Sequence, residues 1–228
     1  MVTVTWTQEA LAKMIDHTLI RADVTQRDLG VHCEEALRYG FAAVAVSPSA
    51  VRYCAEQLAG SMVGISALVA FPLGQATMSA KIFEAQEALE NGATEIEFVV
   101  NIGAVKDGNM CYAASEIRSV VQACGDRPCK VILETGYLTD IEKKALLEMS
   151  LDAGATFVRT ATGLGPKGAT MPDVLLLRSL SQGRINIEAA GGIRTLDEVL
   201  GYLDAGCERI GTDHAVSIMR EAAEALTT

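Results

Sequence analysis

Eight short apolar runs recur along the 228 residues, each separated from the next by a turn and a stretch of helical period. They cover residues 14–19, 42–47, 65–71, 95–100, 130–135, 156–161, 185–190 and 208–212. The punctuation repeats as well: ENGATEIEF, DAGATFVRT and DAGCERIGT each close a helix on a glycine and lead into the next run. Glycine suits that position because it tolerates the left-handed C-terminal cap. Thr139-Asp-Ile-Glu142 and Thr195-Leu-Asp-Glu198 have the spacing of capping boxes, which open helices. Strands that alternate with helices pair in parallel, and near-continuous apolar strands are covered on both faces. Eight such units in this length predict a (β/α)8 TIM barrel, as a single domain over residues 1–228. The competing architecture is a doubly wound open sheet. It ordinarily carries a glycine-rich fingerprint after its first strand, and MIDHTLIRADVT has none.

Composition narrows the function classes. A net charge of −10 and a pI near 4.8 argue against nucleic acid and anionic membrane surfaces, which select basic faces. No apolar run approaches the ~20 residues of a membrane span. The opening MVTVTWTQEALAKM lacks the basic-then-apolar layout of a signal peptide, so a cytoplasmic location is expected. The six cysteines include no C-x-x-C pair, the pattern of reduced thiols filling core gaps.

In a barrel of this kind, chemistry belongs at the C-terminal ends of the strands. The polar residues there are Asp16, His17 and Thr18, then Ser47, then Glu97 and Asn101, then Glu134 and Thr135. The sixth strand adds Arg159, Thr160 and Thr162, the seventh Glu188, and the eighth Thr212, Asp213 and His214. Arg159 stands inside the apolar run FVRTATG, where an arginine needs a reason. Side chains alternate along a strand, so if Val158 and Thr160 face the helices, Arg159 faces the axis, as Glu188 can. A buried arginine beside inward carboxylates neutralises charge that would be costly alone. Several such charges at the functional end of a barrel indicate a site.

Read in order, MIDHTL, VAVSP, AFPLG, GATEIEFVVNIGAVKDG, KVILETGYL, GATFVRTATG, AAGGIRT and RIGT resemble the deoxyribose-phosphate aldolase family, from about Leu11 to Met219. The resemblance implies a class I aldolase barrel that joins acetaldehyde reversibly to glyceraldehyde 3-phosphate. It implies a Schiff-base lysine on strand 6 (V-K-T-S-T-G), a second lysine on strand 7 (K-A-S-G-G-I-R) and an aspartate on strand 4. This sequence departs at each position: they are Arg159, Glu188 and Glu97. The family's small, serine-rich turn after strand 8 is here Gly211-Thr212-Asp213-His214, and its C-V-N-P is Ala45-Val46-Ser47-Pro48. Asp16, Thr18, Lys130, Glu134, Thr162, Gly163, Gly191, Gly192 and Arg194 match the family pattern. Phe71, in AFPLG, is expected to line the pocket.

Arg159 cannot be the family's nucleophile, because an imine needs a neutral amine and guanidinium does not become one. A Lys–Lys pair has become an Arg–Glu pair, expected to form a bidentate bridge. The first functional expectation is therefore imine-free carbon–carbon bond chemistry, or proton transfer beside a carbonyl. Arg159 would hold an enolate or oxyanion, and Glu97 or Glu188 would act as acid and base, supported by Asp16, Lys130 and Glu134. Thr18, Ser47, Phe71, Thr162, Gly163, Gly191, Gly192, Arg194, Asp213 and His214 would bind the substrate. Summing the replaced positions and Asp213 gives excess negative charge, which favours a neutral or amine-bearing carbonyl compound over a phosphate. Two alternatives stand: an aldolase with a relocated lysine, Lys167 or Lys130, and a silent barrel that binds a partner. Glu97, Glu134, Glu188, Asp213 and His214 are the candidate metal ligands. With only three histidines and no H-x-H spacing, no metal and no cofactor are expected. The resemblance also implies a homodimer.

Overall fold

The computed structural model describes residues 6–225. Eight strands follow the apolar runs: β1 (Ile15–Leu19), β2 (Ala43–Val46), β3 (Gly64–Val69), β4 (Glu95–Val99), β5 (Cys129–Ile132), β6 (Phe157–Arg159), β7 (Asn186–Ala190) and β8 (Arg209–Thr212). Each pairs in parallel with its neighbour, and β8 returns to β1, so the sheet is a closed barrel and not an open doubly wound sheet. Among the described residues ten α-helices surround it: α1 (Gln8–Ala12), α2 (Gln26–Tyr39), α3 (Val51–Gln57), α4 (Met78–Glu90), α5 (Ile102–Lys106), α6 (Met110–Ala123), α7 (Asp140–Ala153), α8 (Met171–Ser181), α9 (Leu196–Asp204) and α10 (Ala215–Ala225). None is long and apolar enough to cross a membrane.

Local chemistry sets the helix ends. The Thr139 and Thr195 capping boxes form, and a third forms at Thr25 with Asp28 before α2. Gly154 closes α7 in the left-handed region at φ 79.

Strand alternation sorts the apolar runs onto two faces. Val44, Val46, Ile65, Ala67, Ile96, Phe98, Val131, Val158, Ile187 and Ile210 point outward and merge with the helices' apolar stripes in one large core. The inward face is different. At the mouth, on the β3–β5 side, Leu68, Val99 and Ile132 form a small separate apolar cluster, with Ile20 and Phe71 packed on it. Below that plug the axis is charged.

Candidate active site

The register and the alternation stack the inward side chains in levels of four, as staggered barrel strands do. Strands β2, β4, β6 and β8 supply Ala43, Glu95, Phe157 and Arg209. Strands β1, β3, β5 and β7 supply the next level, Asp16, Ser66, Lys130 and Glu188. Above it lie Ala45, Glu97, Arg159 and Gly211. Three consecutive levels thus carry four carboxylates and three cations, nearly all removed from solvent.

Lys130 is the hub. Its Nζ lies 2.5 Å from Asp16, 2.8 Å from Glu188, 3.0 Å from Glu95 and 3.1 Å from Glu97. Arg209 rises from the first level to bond Asp16 at 2.5 Å and Glu95 at 3.4 Å. Arg159 donates through Nη1 to Glu97, has Glu188 at 3.3 Å from the same nitrogen, and donates Nε–H to the Ala161 carbonyl at 3.0 Å. The expected bidentate Arg159–Glu188 bridge is not what forms. One guanidinium nitrogen serves both carboxylates, because Glu97 comes from the same level and Glu188 from the level below. Ser66 donates its hydroxyl to Glu97 at 2.6 Å.

One carboxylate is in excess, and the electrostatics place the consequence on Glu188. Burial and the neighbouring Glu97 push its carboxyl up to about 7, more than Lys130 and Arg159 pull it down. Burial acts against Glu97 too, but Lys130, Arg159 and the Ser66 hydroxyl outweigh it and hold Glu97 well below the usual carboxylate range. Burial opposes the charge on Lys130, yet its four carboxylates hold it protonated well above an ordinary lysine. The site therefore contains one fixed anion, Glu97, one fixed guanidinium, Arg159, and one carboxyl that titrates near neutrality.

A cavity of about 300 Å³ opens above Arg159. Its lining includes Thr18, Ile20, Thr162, Gly163, Gly191, Gly192, Gly211, Thr212 and Asp213, with Arg21 and Arg194 at the rim. Gly211 keeps the floor open: a Cβ there would sit 2.7 Å from a Glu188 oxygen and 3.5 Å from the Arg159 guanidinium carbon. Gly163, Gly191 and Gly192 all adopt left-handed backbone, at φ 83, 93 and 76. A Cβ at Gly191 would sit 2.9 Å from the Gly163 Cα and 3.0 Å from the Gly168 Cα, so that position has no room for a side chain.

Arg159, Glu188, Glu97, Asp16 and Lys130 lie together on the axis, and Thr18, Thr162, Gly163, Gly191, Gly192, Arg194 and Asp213 line the cavity above them. Other candidates stand elsewhere. Ser47 is exposed on a different flank, with Leu19, Arg21 and Gln26. His214 is turned onto its neighbour Asp213, 2.8 Å from Nδ1 to the carboxylate. Glu134 accepts the Thr162 N–H at 3.0 Å and faces a separate cavity beside β5 and β6. Phe71 lines neither of these two cavities and packs instead on the apolar plug of Leu68, Val99 and Ile132. Lys167 is exposed beside Lys143 and Asp173, and among the described residues no lysine lines the cavity above Arg159.

Arg209, Glu95 and Ser66 are the cluster members that the strand ends did not disclose. Alternation carried the signal, since Arg209 lies two residues before Gly211 and Glu95 two before Glu97. The charge sum also changes. With Lys130 and Arg209 counted, four carboxylates meet three cations beneath the floor, Arg159 among them, and at the rim Arg21 and Arg194 outnumber Asp213. That lining suits an anionic group better than an amine.

Among the described residues two clusters have the residue types of a metal site. Asp16, Glu97 and Glu188 converge, but the Lys130 ammonium sits at their centre. His17, His32 and Glu35 also lie close, but His17 Nε2 is committed to Glu35 at 3.0 Å and His32 Nε2 to the His17 carbonyl at 3.1 Å. Their rings lie 3.9 Å apart, centroid to centroid. Neither arrangement aims free ligand atoms at one point.

The sequence matches the DeoC/LacD family aldolase model over residues 10–205. The deoxyribose-phosphate aldolase of Methanothermobacter thermautotrophicus is 47% identical over 214 residues, covering 93% of this chain and 95% of that protein. That of Caldicellulosiruptor saccharolyticus is 44% identical over 218 residues, covering 94% and 99%. The tetrameric deoxyribose phosphate aldolase of Aeropyrum pernix superposes with a TM-score of 0.87 at 32% identity, over 96% of this chain and 93% of that one. A barrel with this strand order, a charged axis under a glycine-rimmed cavity and these relatives lead to one assignment: the chain belongs to the DeoC/LacD aldolase family.

Proposed function

We propose that this chain is an aldolase-type enzyme that makes or breaks a carbon–carbon bond beside a carbonyl without an imine, using Glu188 for proton transfer and Arg159 as the cationic electron sink. The observation that carries this reading is the pairing of a permanent guanidinium with a carboxyl poised near neutrality under the Gly211 gap. In the cleavage direction, Glu188 takes the proton of a β-hydroxyl. The carbon–carbon bond breaks as that oxygen forms a new carbonyl. The bonding pair passes into the other carbonyl to give an enolate, whose oxygen Arg159 stabilises. Protonated Glu188 then returns its proton to the enolate carbon. Glu97 takes no proton; it holds Arg159 in place and keeps Lys130 charged.

The relatives are deoxyribose-phosphate aldolases, and the lining of this cavity accommodates such a substrate. Its anionic end would lie at Gly163, Gly191, Gly192 and Arg194, with the carbonyl toward Arg159. This revises the neutral or amine-bearing substrate that the bare charge sum favoured. A relocated lysine is disfavoured: Lys130 is locked as an ammonium, and Lys167 lies against a different cavity. A second reading, a barrel that binds without catalysis, draws on the closure of the network, since Arg159 is only 1% exposed and paired on two sides.

The deciding experiment incubates the chain with acetaldehyde in deuterium oxide, with and without glyceraldehyde 3-phosphate. Proton NMR follows exchange of the methyl protons and product formation, and a parallel borohydride trap is read by intact mass. Exchange without a covalent adduct, abolished in Glu188→Gln, is the expected result. A reduced two-carbon adduct on any lysine would overturn the imine-free mechanism. Neither exchange nor adduct, in a folded protein that still binds an anion at the rim, would establish the non-catalytic reading.

A further inference from the structure

The second cavity, between the β3–α4 loop, α5 and the loops after β5 and β6, also measures about 300 Å³. It meets the reaction cavity only at Thr162 and Leu164, which line both. Its base is Glu134. That side chain is 2% exposed, and the residue holds left-handed backbone at φ 54, an uncommon setting for a side-chain-bearing residue. One carboxylate oxygen accepts the Thr162 N–H; the other, Oε1, is buried and has no hydrogen-bond partner. Buried carboxylate oxygens ordinarily have partners, so this one calls for an explanation.

The surroundings supply one. Gly165 passes directly over the free oxygen, and a Cβ at that position would sit 2.6 Å from it. With no side chain at Gly165, backbone alone lies over that oxygen there. Lys106, the cation in the cavity wall, is engaged by Glu142 at 2.7 Å and does not neutralise Glu134. The rest of the wall is largely apolar: Leu73, Tyr137 and Leu164 stand 68%, 51% and 61% exposed around the opening, and Ile102 lies within. Exposed apolar side chains grouped at one concavity mark a contact surface for a ligand.

We propose that this cavity is a second ligand subsite, which takes a primary ammonium group on an apolar carbon skeleton. The ammonium donates to Glu134 Oε1 and balances its charge, and the skeleton lies against Leu73, Tyr137 and Leu164. A hydroxyl would satisfy the oxygen without balancing the charge, and a carboxylate would be repelled. The subsite does not depend on the reaction assigned to Arg159 and Glu188, and it is tested without any activity.

The test titrates n-butylammonium chloride into the full chain and follows backbone amides by NMR, with n-butanol and sodium butyrate as matched probes. Saturable shifts centred on Tyr137, Leu164 and Gly165 are expected for butylammonium, about tenfold or more tighter than for butanol, and none for butyrate. Glu134→Gln is expected to lose at least about tenfold in affinity. Gly165→Ala, whose methyl covers the oxygen at a position with ordinary backbone, should lose as much while the rest of the spectrum holds. Gly165→Ala carries the test if Glu134→Gln does not fold. Butanol binding as tightly as butylammonium, undiminished binding in the variants, shifts confined to the Arg194 and Asp213 side, or no saturable shift would each overturn the proposal.

Discussion

Replacing Glu188 by Gln tests the charge arithmetic of the axis directly. In the folded chain the Glu188 carboxyl is raised to about 7, against 4.5 for an ordinary glutamate. Between those values the folded state binds a proton that the unfolded state has released, so stability falls as pH rises through this window. The contribution is fully present below about pH 4.5 and gone above about pH 7 to 8. At about 1.4 kcal/mol per pKa step, the range is about 3 kcal/mol. For a chain of this size that corresponds to roughly 6–12 °C in Tm. Other groups titrate over the same range with opposite sign. Burial holds His17 at about 4, and burial with the neighbouring His17 holds His32 at about 3, so both favour the fold as pH rises toward 6.5. Glu97, held low, loses its contribution only in stronger acid. The informative quantity is therefore the difference in Tm between Glu188→Gln and the parent, measured by calorimetry from pH 5 to 9. Whatever its value at pH 5, the difference should move toward the variant by several degrees as pH rises, then level off above about pH 8. A flat difference, or one that moves toward the parent, would refute an excess carboxylate at Glu188.

Other perturbations probe the same arrangement. Arg159→Met removes the partner of Glu97 and Glu188 and should cost about 3–5 kcal/mol in urea unfolding, because it strands buried charge. Gly211→Ala places a methyl 2.7 Å from Glu188 and 3.0 Å from the Ala190 Cβ. It should cost about 1–3 kcal/mol by the same assay and abolish whatever exchange the parent shows with acetaldehyde. Behind the barrel wall, Lys81 bridges Glu116 and the Val99 carbonyl, both at 2.8 Å, with neither side chain exposed. Lys81→Met alone should cost about 3–5 kcal/mol, and Lys81→Met with Glu116→Leu should recover more than half of that loss. Arg159→Lys together with Glu188→Lys restores the residue types implied by the family resemblance; borohydride should then trap acetaldehyde on a lysine that the parent lacks.

The barrel and the chemical character of its axis are legible in the order of the residues alone. Strand–helix alternation is local, and so are the capping boxes at Thr139 and Thr195 and the glycine at 154; each forms where short-range spacing puts it. Period-two alternation also turned Arg159, Glu97 and Glu188 inward, and the chemistry of guanidinium by itself excluded an imine at position 159. Which side chains meet on the axis is a matter of the closed barrel. Strand stagger is a property of closing eight strands at once, and it set Lys130, not Arg159, at the centre of the carboxylates. It also drew Arg209 and Glu95 into the cluster from the starts of their strands, away from the C-terminal ends. Glu134 and Ser47 left the site for the same kind of reason. Glu134 turns aside at a left-handed residue, and Ser47 lies where the chain has already left β2 for the helical side. The titration of Glu188 belongs wholly to the assembled fold, because it arises from burial and from the charge of Glu97, a carboxylate far off along the chain that the barrel brings near it.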